Sequence, residues 1–170
     1  MNRIGIVGVG LMGGAMALRL LDTGHEVMAC DIDAARLQQA VDAGASAAAT
    51  PAALASCEMV IVAVVDGAQT RDVLFGAYGL ADALPTGAAV MLCPTIGPAD
   101  TESFAQALGH RGIGCIDAPM SGGPERARLG TMSLMVACPQ VLFERWQPLL
   151  QTLATRLFRI GERAGDGART

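Results

Sequence analysis

Three glycines, Gly8, Gly10 and Gly13, stand in the segment GVGLMG. They lie between an apolar run, RIGIVGV (3–9), and an amphipathic one, LMGGAMALRLLDTG (11–24). A strand that passes straight into a helix through such a segment makes an anion site. Gly8 permits the tight turn, Gly10 lets the backbone approach a pyrophosphate, and Gly13 lets the helix pack close to the strand. The free N–H groups and the positive dipole end of the helix then face the phosphates. Asp31 lies 18 residues past Gly13, at the end of a second apolar run, HEVMACD (25–31). A carboxylate there accepts hydrogen bonds from both hydroxyls of an adenosine ribose. It also repels a 2′-phosphate. No arginine follows it directly in CDIDAAR, although Arg36 is one helical turn away. The pattern predicts NAD in preference to NADP. A simple tight turn, or a methyltransferase-like nucleotide site, are the competing readings of the same residues.

A second constellation is DAPMSGG (117–123), which follows the apolar run GIGCIDAP (112–119). Ser121 offers a hydroxyl, and Gly122 and Gly123 let a ligand come close to backbone donors. A loop of this kind at the carboxyl end of a strand suits a small carboxylate.

The elements that must position these residues alternate along the chain. Strands are predicted at 3–9, 25–31, 58–65, 87–94, 112–119, 131–138 and 154–160. Helices are predicted at 11–24, 33–44, 67–76, 98–110 and 139–153, with a short one opened by Thr50 and Pro51. Asp33 is the expected N-cap of the second helix and Gly44 its C-cap. Repeated strand–helix–strand units imply an α/β fold of the Rossmann type: a doubly wound, mostly parallel sheet with helices on both faces. The final strand–helix–strand unit allows strands of mixed direction. One dinucleotide-binding domain is expected over 1–160, with 161–170 beginning a helix that leads to a further, helical domain.

Composition fits that picture. The chain has 170 residues, 52 % of them hydrophobic, and a mean hydropathy of +0.42, which argues against disorder. A net charge of −4 argues against a nucleic-acid groove. No uncharged apolar run is long enough to predict a membrane span, and the N-terminus does not read as a signal peptide. The five cysteines, Cys30, Cys57, Cys93, Cys115 and Cys138, have no CxxC spacing and read as buried reduced thiols of a cytoplasmic protein, with no metal site.

GVGLMGGAMA, AGA (43–45), VLFG (73–76), DAPMSGG and GTMSLMV (130–136), in that order, resemble the β-hydroxyacid dehydrogenase family, which includes 3-hydroxyisobutyrate dehydrogenase and, more distantly, 6-phosphogluconate dehydrogenase. The resemblance spans essentially the whole chain. It implies that Gly8, Gly10, Leu11, Met12 and Gly13 hold the pyrophosphate and that Asp31 reads the ribose. It also implies that Val64 and Val65 lie on the cofactor side, that Thr95 sits near nicotinamide and substrate, and that Ser121, Gly122 and Gly123 hold the carboxylate of a small hydroxycarboxylate. Two positions depart from the family pattern: Val64-Val65 replaces a usual Leu-Pro, and Pro94-Thr95 a usual Ser-Thr. By the resemblance, both positions touch the cofactor side of the site.

The resemblance also implies a catalytic lysine, acting as general acid/base, on a long helix that follows a Gly-x-Gly segment. All twelve basic residues here are arginine, so no lysine is present. His25 and His110 fall at turns away from the expected site, Asp117 reads as structural, and Tyr78 has no evident partner. The expectation is a truncated piece of a longer NAD-dependent oxidoreductase, inactive by itself, whose helical C-terminal domain would complete the site and a homo-oligomer. The alternatives are a stand-alone, non-catalytic NAD-binding or sensing module, and a reductase of imines on the same fold.

Overall fold

A computed structural model of the chain describes residues 2–166. The elements run β1 (Arg3–Val7), α1 (Leu11–Asp22), β2 (Glu26–Cys30), α2 (Ala34–Asp42) and β3 (Ser46–Ala47). A 3-10 turn (Pro51–Leu54) follows, then β4 (Met59–Val62), α3 (Gly67–Phe75), α4 (Leu80–Ala83), β5 (Ala89–Leu92) and α5 (Pro98–Gly109). The chain continues through β6 (Gly114–Asp117), β7 (Met120–Ser121), α6 (Gly123–Leu129), β8 (Met132–Ala137), α7 (Gln140–Leu153) and β9 (Ala154–Gly161). Among the described residues the strands form one sheet of nine.

The order β3-β2-β1-β4-β5-β6 is parallel throughout. After β1 the chain winds toward β2 and β3, then returns past β1 to β4. That reversal leaves a crevice at the carboxyl ends of β1 and β4, where this architecture receives ligands. One edge of β8 runs antiparallel to the end of β6, with Asp117 opposite Ala137, and to β7, with Ser121 opposite Ser133. Its other edge pairs parallel with β9. The sequence left the strand directions of the last unit open; β8 and β9 run parallel to each other, and β8 runs antiparallel to β6.

Side-chain alternation along the buried strands divides the core in two. In β4, Met59 and Ile61 join a cluster with Met16 and Leu20 of α1 and Trp146 and Leu150 of α7. Val60 and Val62 face the opposite cluster, with Leu74 of α3, Leu80 of α4 and Phe104 of α5. Helices thus cover both faces, as expected. Four expectations need correction. The predicted loop after residue 119 contains β7 and α6, and a short β3 follows α2. The predicted strands before the last also end earlier than expected: β1 stops at Val7, because Gly8 turns with φ +91°. Residues 162–166 are turns rather than helix, and the rest of the helix expected over 161–170 lies outside the described residues.

Candidate functional site

The three loop glycines have different physical reasons to be glycine. Gly8 has φ +91°, and a Cβ there would lie 2.6 Å from the carbonyl oxygen of Ala63. At Gly13 a Cβ would lie 1.7 Å from the carbonyl oxygen of Gly8, so α1 rests directly on the turn that opens it. Gly10 is unlike either. It has φ −71°, which any residue adopts, and a Cβ there would meet nothing closer than the tip of Arg36, at 3.7 Å. Neither its φ nor packing within the chain excludes a side chain at Gly10. The space beside it is the kind of cradle a pyrophosphate needs. Helix α1 begins there with no capping side chain. Its first intrahelical bond, from Gly14 N–H to Gly10 O, is 2.8 Å. The N–H groups of Leu11, Met12 and Gly13 precede that ladder and have no partner within the helix. A diphosphate fits this donor set. Leu11 is exposed, whereas Met12 packs against the core.

Asp31 lies at the end of β2, beside this loop, and both of its oxygens are already engaged. Oδ2 accepts from Val9 N–H at 2.8 Å and Oδ1 accepts from Asp33 N–H at 2.8 Å. The carboxylate therefore pins the glycine loop to β2 and is held rigidly itself. Each oxygen keeps lone-pair capacity for a ribose hydroxyl. Asp33 caps α2 as expected, accepting from Ala35 N–H and Arg36 N–H. Between the two acids, Ile32 is fully exposed. Sequence reading missed it, although an isoleucine in a turn between two aspartates has no core to face. At the end of β4, Val64 is half-buried and within reach of Gly8, and Val65 is exposed. Val65 N–H donates to Gln69 Oε1 at 3.0 Å, which ties this loop to α3.

The other predicted residues occupy the same carboxyl edge of the sheet, further along it. Thr95 is exposed in the loop after β5. Ser121 ends β7, exposed, and Gly122 and Gly123 follow with φ +130° and +74°. Only glycine adopts such angles readily. The side chain of Arg126 lies over Gly122. Asp117 is 2 % exposed, and its Oδ2 accepts from Gly165 N–H at 2.8 Å. That bond fastens the turn after β9 to the end of β6. It agrees with the structural role expected of Asp117.

All five cysteines are buried and unpaired, as expected. Burial raises each thiol: Cys57 and Cys138 to about 11, and Cys93 to about 12 with the Asp117 charge adding to the rise. Thiols held protonated in this way are poor nucleophiles. His25 precedes β2, at the amino edge of the sheet, within 3.2 Å of Thr23 Oγ1, and His110 caps the end of α5. Neither approaches the carboxyl edge. No helix among the described residues is long and apolar enough to cross a membrane.

The model of the NAD-binding domain of 6-phosphogluconate dehydrogenase matches residues 3–161. L-threonate dehydrogenase of Cupriavidus necator is 38 % identical over 169 residues, covering 99 % of this chain and 57 % of that protein. The crystal structure of a 3-hydroxyisobutyrate dehydrogenase from Salmonella typhimurium superposes with a TM-score of 0.93 at 33 % identity, covering 99 % of this chain and 59 % of the other. A further neighbour, described as Psf3 in complex with NADP+ and 2-OPP, gives a TM-score of 0.93 at 26 % identity, with 98 % of this chain and 59 % of the other covered. The chain thus spans a little over half the length of these relatives.

Proposed function

Since the chain belongs to the family of NAD-binding domains of 6-phosphogluconate dehydrogenase, we propose that it holds NAD, in preference to NADP, for an oxidoreductase acting on a small hydroxycarboxylic acid. The observation that carries the dinucleotide reading is Gly10, a glycine that neither its own φ nor its neighbours require. In this reading the N–H groups of Leu11, Met12 and Gly13 hold the pyrophosphate, and Asp31 receives the ribose hydroxyls. Ile32 and Val65, exposed at the ends of β2 and β4, flank the adenine, and Val64 closes the crevice near Gly8. The bound cofactor supplies hydride transfer at its nicotinamide ring. Thr95 and the Ser121-Gly122-Gly123 loop face the substrate carboxylate. The substrate class is supported by the names of the relatives, L-threonate dehydrogenase and 3-hydroxyisobutyrate dehydrogenase.

A proton must move on the substrate oxygen as hydride moves, and that needs a general acid/base. The 170 residues contain no lysine, and Asp117 is committed to Gly165 N–H. We therefore assign these residues cofactor binding without efficient turnover. Proton transfer, and self-association, belong in this proposal to a helical domain of the longer enzyme.

The test is calorimetric titration of the chain with NAD and NADP, repeated on Asp31→Ala. Losing Asp31 frees Val9 N–H and Asp33 N–H as well, which weakens both cofactors. The informative quantity is the ratio of the two dissociation constants. It is expected to favour NAD in the parent chain and to move about tenfold toward NADP in the variant, an effect of about 1.4 kcal/mol. A ratio unchanged by the substitution would remove Asp31 from ribose recognition.

A further inference from the structure

Strand β7 continues the line of β6 along β8: Asp117 lies opposite Ala137, Met120 opposite Leu134 and Ser121 opposite Ser133. On the other edge of β8, Ser133 pairs with Arg156 of β9 and Leu134 with Leu157. Residues paired across a ladder share a face of the sheet. Met120, Leu134 and Leu157 pack on the core that α1 and α7 cover. Ser121, Ser133 and Arg156 therefore stand in one row on the opposite face, past the carboxyl end of β6. Ser121 and Arg156 are exposed, and Ser133 is half-buried. A second arginine reaches the same loop from α6: a Cβ on Gly122 would lie 2.8 Å from Cδ of Arg126. Arg126 is exposed too, and among the described residues neither guanidinium has a hydrogen bond or an ion pair. The neighbouring arginines are committed, Arg128 to Asp22, and Arg159 to Gln140 and the carbonyl of Cys138. The neighbouring acids are turned elsewhere. Glu125 lines the cleft between α1, α2 and α6 with Arg128, and Asp117 accepts from Gly165 N–H. The Ser121–Gly123 loop is thus flanked by two cations that no side chain among the described residues neutralises.

We propose that the substrate is a short hydroxy acid with a second carboxylate. The Ser121–Gly123 loop, with Arg126 beside it, takes one carboxylate, and Ser133 and Arg156 take the other. This deepens the hydroxycarboxylate reading above and rests on it. A single carboxylate would leave one guanidinium uncompensated, whereas a dianion matches both. Adjacent strands are about 4.8 Å apart, which sets Ser121 and Arg156 about 10 Å apart at Cα. A four-carbon diacid and an extended arginine side chain cover that span together. The Ser133 hydroxyl donates to a carboxylate oxygen, and the guanidinium offers two parallel N–H donors. Sequence reading singled out Ser121 but neither Ser133 nor Arg156, because only the register of three strands brings them beside it.

The test is an NMR titration, followed at the backbone amides, of the NAD-saturated chain with malate and with 3-hydroxybutyrate. Both are four-carbon hydroxy acids, with two carboxylates and one. The parent chain is expected to bind malate about tenfold more tightly, with shifts at Ser121, Gly122, Gly123, Ser133 and Arg156. Arg156→Gln is expected to remove that preference by weakening malate about tenfold and 3-hydroxybutyrate less than about twofold. Arg156→Lys, which keeps the charge but not the paired donors, is expected to fall between. A parent chain without preference for malate would overturn the proposal. Equal weakening of both acids by Arg156→Gln would place Arg156 on the first carboxylate and overturn it as well. Were neither acid bound by the NAD-saturated chain, this subsite would fall and the dinucleotide reading would stand. A chain that failed to bind NAD would overturn that reading itself, and the substrate assignment with it.

Discussion

Substitution of Gly10 and Gly13 by alanine separates two reasons for a glycine that look alike in the motif. At Gly13 the added methyl would lie 1.7 Å from the carbonyl oxygen of Gly8 and 2.9 Å from its carbon, both backbone atoms. Relief requires α1 to lift from the β1 turn, and α1 contributes Met16 and Leu20 to the core. Overpacking against atoms that can move costs about 1–3 kcal/mol, and against fixed backbone it reaches the upper end or beyond. Gly13→Ala is therefore expected to lose about 3 kcal/mol or more of unfolding free energy. At Gly10 the same methyl would meet only the flexible tip of Arg36, at 3.7 Å. The remaining cost is the exchange of glycine for alanine at an N-cap, about 1 kcal/mol or less. Its methyl does project into the cradle proposed for the pyrophosphate. A displacement costing about 1–3 kcal/mol of binding weakens NAD about 5- to 150-fold. Urea denaturation with calorimetric NAD titration reads both quantities. Gly10→Ala should keep near-parent stability and lose NAD affinity, whereas Gly13→Ala should lose stability first. A Gly10→Ala chain that binds NAD as tightly as the parent would refute the account of Gly10. One destabilised as much as Gly13→Ala would refute it equally.

Two further outcomes follow from buried groups. Every cysteine is buried, so the native chain at pH 8 should not react with a thiol reagent such as Ellman's, while the urea-unfolded chain should react at all five. The thiols rise in the folded state from 9.0 to about 11 for Cys57 and Cys138 and to about 12 for Cys93. The unfolded chain gives up these protons first as pH rises. Their contribution is complete below pH 9 and is lost as pH climbs through 11 and 12, so the melting temperature should fall across that window. A melting temperature flat from pH 9 to 11 would contradict it. Asp117→Ala removes the acceptor of Gly165 N–H, a buried bond to a charged group, and is expected to cost about 1.5–3 kcal/mol. Hydrogen exchange should accelerate in 162–166 while the GVGLMG loop keeps its protection. Equal acceleration in both segments would show that Asp117 supports the whole edge rather than that turn.

The glycine loop, Asp31 and the alternation of strands and helices were legible because each is a local pattern with one physical meaning. GVGLMG follows β1 and opens α1 where expected, and Asp33 caps α2 as its type and place suggest. Elements were misread where local signals conflicted. Gly122, Gly123 and Pro124 read as loop, yet proline near a helix start and glycine just past its end are also helix signals. Gly130, with φ +72°, is the stop of α6. The strand over 3–9 was read too long, because Val9 is apolar although its N–H has left the ladder for Asp31. Long-range placements lie outside any local pattern. The engagement of both Asp31 oxygens, the guanidinium of Arg36 on Gly10 and the bond from Gly165 to Asp117 all join residues that only the tertiary fold brings together. The antiparallel direction of β8 against β6 is of the same kind, since alternation of side chains is identical in both directions.

The most direct measurement is a crystal structure of the chain grown with NAD. The account predicts the pyrophosphate on the N–H groups of Leu11, Met12 and Gly13, its oxygens passing close to Gly10. It predicts the adenosine ribose hydroxyls on the Asp31 carboxylate, with that carboxylate still bonded to Val9 N–H and Asp33 N–H. A dinucleotide bound elsewhere on the sheet, or one that leaves the space beside Gly10 empty, would contradict it.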